Sequence, residues 1–300
     1  MQNQEPTAVG VVGLGAMGGR IAARLLALGH EVHGYNRTRA KAEPLIDDGL
    51  VWAESPRAVA EATQVVISMV TDTEALESVT GGPEGILAGL GPDKVYVDMS
   101  TVGPDASRRL AEGVRETGAS MLAAPVSGSL PAVEEGSLAI IVGGDAEAFT
   151  RVEPILRELG STVTLVGDNA QALTLKLAIN ISLAVQVLAF SEGVLLAERS
   201  GVERRVALDV LTSSAIGSAA LKARAPFLLN LPESAWFDVA LMQKDLRLAL
   251  ESGADQGVPL PSTGVANALL DVARKDGLEH RDIAALFQVL SNLSLRGLVS

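Results

Sequence analysis

Lys176 and Asn180 stand four residues apart in ALTLKLAINISLAVQVLAF, residues 172–190, and Lys176 is the only charged residue between Asn169 and Ser191. On a helix, residues at that spacing share one face. An ammonium in apolar surroundings loses hydration, which disfavours its charged form and draws its pKa toward neutrality. Such a group can stabilise negative charge growing on a carbonyl oxygen and then donate a proton; in its neutral form it can accept one. An amide one turn on can orient the lysine or bind a hydroxyl. Two plainer readings stand beside these. Lysines in apolar helices often snorkel or pair, and buried amides often bond back to their own or a neighbouring helix. The wider stretch 169–191 is about as long as the roughly 20 residues that span a bilayer. Gln171, Lys176, Asn180 and Gln186 are spread along it, however, and no aromatic or basic belt flanks it. A buried central helix is therefore expected, not a membrane span.

Three other places hold groups able to bind. In APVSGSLPAVEEG the Ser127 hydroxyl and the backbone N–H groups of Gly128 and Ser129 form a donor cluster suited to a small carboxylate. The same residues also suit an ordinary turn. Near the N-terminus, Gly13-Leu14-Gly15-Ala16-Met17-Gly18 falls between an expected strand, AVGVV at 8–12, and an expected helix ending at Gly29. In that context the first glycine permits a tight turn, the second lets a pyrophosphate reach the backbone, and the third allows close helix–strand packing. The helix N-terminus then faces the negative charge. At the end of the second strand, EVHGY at 31–35, stands Asn36-Arg37-Thr38 with no acid to accept from a ribose 2′-hydroxyl. These three would donate to a 2′-phosphate, and Arg37 can stack on adenine, so NADP is expected over NAD. The alternative is that Arg37 and Arg39 are solvated at the start of the next helix. Met69-Val70-Thr71-Asp72 and Asp98-Met99-Ser100-Thr101-Val102 follow two further apolar runs, at strand ends where doubly wound sheets bind ligands. Both loops are expected to line the dinucleotide track. The plainer reading makes Thr71 or Asp72, and Ser100 or Thr101, helix caps.

The elements that must position these groups are legible as a pattern. Strand-like runs at 8–12, 31–35, 64–70, 94–98, 120–126, 138–142 and 161–166 alternate with helical segments, including 39–48 and 104–117. That alternation predicts a Rossmann-type, doubly wound α/β sheet, parallel or mixed. After Val166 only helical periodicity appears, near 169–198, 203–214, 218–229, 237–255, 262–275 and 282–294. The expected organisation is a dinucleotide-binding domain over 1–167 and an all-helical domain over 168–300. A long helix, capped by Asp168 or Asn169, joins them.

The chain has 300 residues, 48% hydrophobic and 20% charged, enough for two domains with substantial cores. Its net charge of −12 argues against nucleic acid or an anionic membrane as partner, while leaving a small anionic substrate open. With no cysteine there is no disulfide, iron–sulfur cluster or thiolate nucleophile. His30, His33 and His280 form no metal-ligand spacing, so no metal site is expected. MQNQEPTAVG has no basic segment followed by an apolar one, and a cytoplasmic enzyme is expected. Trp236 and Phe237 are expected to pack as core. With 3% aromatics no aromatic substrate cage is expected.

Four blocks in order, GLGAMG, APVSGSLPAVEEGSLAIIVGG at 124–144, LKLAIN at 175–180 and LMQKDLRLAL at 241–250, resemble the β-hydroxyacid dehydrogenase family over nearly the whole chain. That family includes 3-hydroxyisobutyrate dehydrogenase and the glyoxylate/succinic semialdehyde reductases. The resemblance implies a Rossmann-type domain and an all-α domain joined by a long helix, assembled as a homodimer or homotetramer. It implies a catalytic lysine at Lys176 with Asn180 as amide partner, and a substrate loop at Val126-Ser127-Gly128-Ser129. It places Lys244 near the nicotinamide and substrate, with Asp245 beside it. Some positions depart from the pattern. Ser129 replaces a glycine, as in the glyoxylate/succinic semialdehyde branch, and Ala170 and Ala172 replace glycines six and four residues before the lysine. Ile179 stands where 6-phosphogluconate dehydrogenase has a histidine. The implied activity is NADP(H)-dependent hydride transfer to or from a small aldehyde, keto or β-hydroxy acid. Two other readings are imine reduction and a non-catalytic dinucleotide-binding module. Related imine reductases usually place an acid or tyrosine at the Lys176 position, and a cationic lysine would repel an iminium ion.

Overall fold

The structure is a computed structural model that describes residues 8–295; the MQNQEPT segment of the leader reading lies outside them. Its contacts divide the chain into two compact units, one through Lys176 and one from Leu177.

The first unit opens with β1 (Ala8–Val12), α1 (Ala16–Ala27) and β2 (Glu31–Tyr35). A 3-10 turn at Arg39–Lys41 and α2 (Glu43–Asp47) lead to β3 (Val51–Trp52), α3 (Pro56–Ala62), β4 (Val65–Ser68), α4 (Thr73–Thr80) and α5 (Ile86–Gly89). There follow β5 (Val95–Asp98), α6 (Pro104–Glu116), β6 (Ser120–Ala123), β7 (Val126–Ser127) and α7 (Leu130–Glu135). β8 (Ala139–Gly144), α8 (Ala146–Leu159) and β9 (Thr162–Gly167) complete it. The strands form one sheet in the order β3-β2-β1-β4-β5-β6-β8-β7, with β9 paired to β8. Strands β1 to β6 run parallel to one another, and β9 runs parallel to β8, whereas β8 is antiparallel to β6 and β7.

Strand alternation builds two cores, one on each face of this sheet. Val9 and Val11 join Ile21 and Leu25 of α1 on one face; Val12, Val66 and Tyr96 join Val59 and Ala60 of α3 and Val114 of α6 on the other. Each fully buried branched aliphatic side chain contributes about 1.5–3 kcal/mol. α3 rides so close to β1 that a Cβ on Gly10 would lie 2.5 Å from Val59 Cγ1. The strand order reverses between β1 and β4, which opens a crevice at their C-terminal ends.

The structure corrects several expected boundaries. The run SMLAAPV is not one strand but β6 and β7, broken at Pro125, which has no N–H for the ladder; its carbonyl accepts from Ile141 N at 3.0 Å. Met69 and Val70 lie beyond β4 in the loop. The segment 39–48 is a 3-10 turn followed by α2. Elements β3, α3, α5, α7 and α8 lie outside the sequence reading. α8 did carry a signal: Asp145 caps it, and Val152, Ile155, Leu156 and Leu159 recur at helical spacing on its buried face.

The long helix α9 (Asn169–Arg199) contains the division between the units. α10 (Arg204–Ser213), α11 (Ala219–Arg224), a 3-10 turn at Ala225–Leu228, α12 (Val239–Asp255), α13 (Pro261–Lys275), a second 3-10 turn at Ile283–Ala285 and α14 (Leu286–Leu295) make up the rest. The single helix expected over 218–229 breaks because Pro226 cannot donate in mid-helix. By length and composition α9 could cross a membrane, yet Ala184, Val187, Leu188, Phe190 and Val194 are core residues of the helical unit.

Candidate functional site

The glycine turn between β1 and α1 is shaped by contacts within the chain at two of its three glycines. Gly13 has φ +95°, donates to Tyr35 O at 2.9 Å, and leaves no room for a Cβ, which would lie 2.4 Å from Met69 O. A Cβ on Gly18 would lie 1.9 Å from Gly13 O. Around Gly15 a Cβ would meet no protein atom within 4 Å. The first and third glycines are thus required by the fold, while the second borders open space at the N-terminus of a 12-residue helix. That is the arrangement a pyrophosphate needs.

Asn36 braces this turn. Its Oδ1 accepts from Leu14 N at 3.1 Å and its Nδ2 donates to Thr38 O at 2.9 Å. The carboxamide expected to face a 2′-phosphate is thereby tied to the backbone on both sides. Arg37 and Thr38 are exposed, and Arg37 makes no ion pair with a described residue. Arg39 instead lies 5.1 Å from the Trp52 ring and 3.3 Å from Glu54 Oε1.

The loops after β4 and β5 are joined by a buried polar chain that no motif announces. The Ser68 hydroxyl lies 2.7 Å from the Tyr96 hydroxyl and donates to Asp98 Oδ1 at 2.7 Å; all three residues are fully buried. Asp98 Oδ1 also accepts from Ser100 N at 3.2 Å, and the Ser100 hydroxyl accepts from Val70 N at 3.0 Å. Burial, and then the nearby Asp98, push the Tyr96 phenol well above its ordinary range. The capping alternative holds for Asp72, which accepts from Ala75 N at 2.8 Å and also receives the Thr71 hydroxyl. It fails for Ser100 and Thr101, because α6 begins at Pro104 behind Gly103.

Ser127 sits on β7 opposite Ala139. Gly128 has φ +145°, and a Cβ there would lie 2.7 Å from Leu138 Cδ2, so the bend requires glycine. Ser129 flanks the start of α7 without capping it. Neither hydroxyl bonds to a described residue, so both are available as donors.

α9 begins in a capping box: Gln171 N donates to Asp168 Oδ1 at 2.9 Å and Asp168 N to Gln171 Oε1 at 2.8 Å. Ala172 is fully buried, and its methyl faces Gly143 of β8, whose own Cβ would come within 2.8 Å of it. The methyl that replaces a family glycine is therefore absorbed by a glycine on the sheet. Lys176 is 9% exposed and Asn180 2%. Of the apolar residues beside the lysine in the chain, Leu177 is buried, Ile179 and Ile181 are half-buried and Leu175 is 44% exposed. Residues adjacent in a helical sequence point to other faces.

In the helical unit Asn180 Nδ2 donates to Asp245 Oδ2 at 2.5 Å, and Lys244 Nζ lies 2.9 Å from Asp245 Oδ1. Asp245 is 2% exposed and the Lys244 side chain 23%, so the pair is not an ordinary solvated helix face. Phe237 lies against the helical core as expected, whereas Trp236 is half-buried outside that core and packs edge-on against Phe227 at 4.8 Å. No group of His, Asp or Glu among the described residues could hold a metal ion.

Two family models match the chain. The NAD-binding domain of 6-phosphogluconate dehydrogenase covers residues 8–167, and the NAD-binding domain of NADP-dependent 3-hydroxyisobutyrate dehydrogenase covers 170–290. The 2-hydroxy-3-oxopropionate reductase of Escherichia coli K12 is 35% identical over 94% of this chain and 96% of its own. Glyoxylate/succinic semialdehyde reductase 1 of Arabidopsis thaliana is 33% identical over 94% and 98%. Among solved structures, Psf3 in complex with NADP+ and 2-OPP superposes with a TM-score of 0.86 at 31% identity, covering 94% of this chain and 99% of that one.

Proposed function

Because the chain belongs to the β-hydroxyacid dehydrogenase family, and is therefore a nicotinamide-dependent oxidoreductase, we propose that it is an NADPH-dependent reductase of a small aldehyde or keto acid, with Lys176 as general acid. The same group would act as base when a β-hydroxy acid is oxidised. The observation that carries this reading is Lys176 itself: a nearly buried lysine, one helical turn before a nearly buried asparagine, in an otherwise uncharged stretch.

The open Gly15 position and the N-terminus of α1 would hold the pyrophosphate. Arg37 and Thr38, exposed beyond β2, would hold the 2′-phosphate, which favours NADP over NAD. Met69, Val70, Thr71, Ser100 and Thr101 would line the ribose and nicotinamide. The bound cofactor supplies hydride to the carbonyl carbon. The Ser127 hydroxyl and the N–H groups of Gly128 and Ser129 anchor the substrate carboxylate, which fixes the distance from handle to reacting carbon. As charge grows on the carbonyl oxygen, the Lys176 ammonium stabilises it and transfers its proton there. Asn180 orients the lysine or accepts the product hydroxyl, and Asp245 holds the Asn180 amide. Lys244 belongs to this reading through the family pattern. We also propose a cytoplasmic dimer or tetramer. Self-association is supported by large apolar side chains exposed on the helical unit, Leu196 at 71%, Val210 at 61% and Ile216 at 65%.

The test is NADPH oxidation with glyoxylate, succinic semialdehyde and 2-hydroxy-3-oxopropionate, repeated with Lys176→Ala and Lys176→Arg. Loss of about 100-fold or more in kcat for Lys176→Ala is expected. Lys176→Arg keeps the charge without the proton donor, and is expected to recover substrate binding but not turnover. Unchanged turnover in Lys176→Ala would overturn the assignment.

A further inference from the structure

Arg24 lies in the last turn of α1, the helix that begins at the glycine turn, and its guanidinium reaches two other helix ends. Nη1 donates to Glu134 O at 2.7 Å and Nε donates to Glu158 O. Glu134 is in the last turn of α7, and Glu158 in the last turn of α8. These carbonyls are among those a helix leaves without an internal partner, and a cation at a helix C-terminus also opposes the macrodipole. Gly136, left-handed at φ +68°, closes α7 and makes room for the guanidinium: a Cβ there would lie 2.1 Å from Arg24 Nη2.

α7 follows directly on the Ser127-Gly128-Ser129 bend and supports it from behind. A Cβ on Gly128 would lie 3.1 Å from Ala132 Cβ, Ala132 N donates to Ser129 O at 3.0 Å, and Val133 is fully buried. With only six residues, α7 cannot hold its own position by helix propensity. A second link, the Arg20–Glu134 ion pair at 2.7 Å, is 38% and 60% exposed, so screening leaves it little weight.

We propose that Arg24 is a positioning residue for the carboxylate-binding bend, tying that bend through α7 to the helix that carries the dinucleotide turn. Anchor and cofactor would then share one rigid frame, and the distance between substrate carboxylate and hydride would be set from α1. This rests on the reading of Ser127–Ser129 as the substrate anchor.

Arg24→Ala and Arg24→Lys test it; the lysine keeps the charge but cannot reach both carbonyls. Arg24→Ala is expected to raise KM for the carbonyl acid between about tenfold and a hundredfold, with NADPH Kd within about twofold. Arg24→Lys is expected to fall between it and the wild type, so a variant that folds remains if the alanine does not. Glu134→Ala, which removes only the surface ion pair and leaves the carbonyl, is expected to match wild type. Amide hydrogen exchange across 128–136 is expected to quicken in Arg24→Ala while 8–18 stays protected. An unchanged acid KM, or an equal loss of NADPH affinity, overturns the proposal. If wild type turns over no acid, the functional reading fails on its own. The exchange measurement then decides the tether: quickened exchange at 128–136 supports it, and unchanged exchange overturns it.

Discussion

Asn180 donates its amide to Asp245 Oδ2 at 2.5 Å, across 65 residues of chain, and both side chains are almost completely buried. The contact joins α9 to α12 inside the helical unit. It also fixes which end of the Asn180 carboxamide is committed: the N–H side faces Asp245. Asn180→Ala would withdraw a donor from a buried carboxylate, which costs about 1–3 kcal/mol. Chemical denaturation is expected to show that loss. Asn180→Asp should cost more, because two carboxylates would then meet at hydrogen-bond distance. Equal stability of Asn180→Asp and wild type would mean the contact has no energetic weight.

The glycines of the dinucleotide turn are expected to separate into two kinds. Gly15→Ala places a methyl where no protein atom lies within 4 Å, so its melting temperature should match wild type. Its NADPH Kd should rise about tenfold or more, as the methyl meets the pyrophosphate. Gly18→Ala drives a methyl to 1.9 Å from Gly13 O, and stability itself should fall by about 2–4 kcal/mol. Calorimetry of both variants with and without NADPH distinguishes them.

Ser68 is expected to matter more than an ordinary buried hydroxyl. Ser68→Ala withdraws a bond from both Tyr96 and Asp98, at a cost of about 1–3 kcal/mol. Because Asp98 Oδ1 also accepts from Ser100 N, and Ser100 from Val70 N, NADPH affinity should weaken as well. Tyr96→Phe removes only the outer end of the chain and should leave cofactor affinity unchanged. If both variants bind NADPH like wild type, the chain is structural only.

Acid sensitivity of the helical unit should include one identifiable pair. Arg204 grips Glu198 through Nε and Nη2, both at 2.9 Å, and this fork holds the Glu198 carboxyl below its usual range. A folded-state pKa below the unfolded one means that the unfolded chain binds more protons in the interval between them. The pair's stabilisation is therefore present above the ordinary glutamate pKa and is lost as pH falls through the depressed folded value. Both side chains are about a third exposed, so the contribution is a few tenths of a kcal/mol. Glu198→Gln should flatten urea midpoints measured between about pH 5 and pH 3. A wild-type slope in that variant would remove the pair from the account.

Much of this protein is determined by short-range sequence. The glycine turn is legible because the conformational freedom of Gly13 and the strand–helix switch around it are local properties. The face shared by Lys176 and Asn180 follows from helical spacing alone. The change from alternating elements to helices only after Val166 is equally a matter of period. Tertiary structure decided the rest. It assigned Asn36 to brace the turn, turned the Ala172 methyl into the space above Gly143, and exposed Leu175 beside a buried Lys176. It split SMLAAPV at Pro125 and brought Ser68, Tyr96 and Asp98 into one chain. It also set Asp245 on Asn180, and Arg24 on carbonyls 110 and 134 residues away. No periodicity encodes such pairs. A buried polar group needs a partner, but which one it meets depends on how packed helices and strands bring distant residues together.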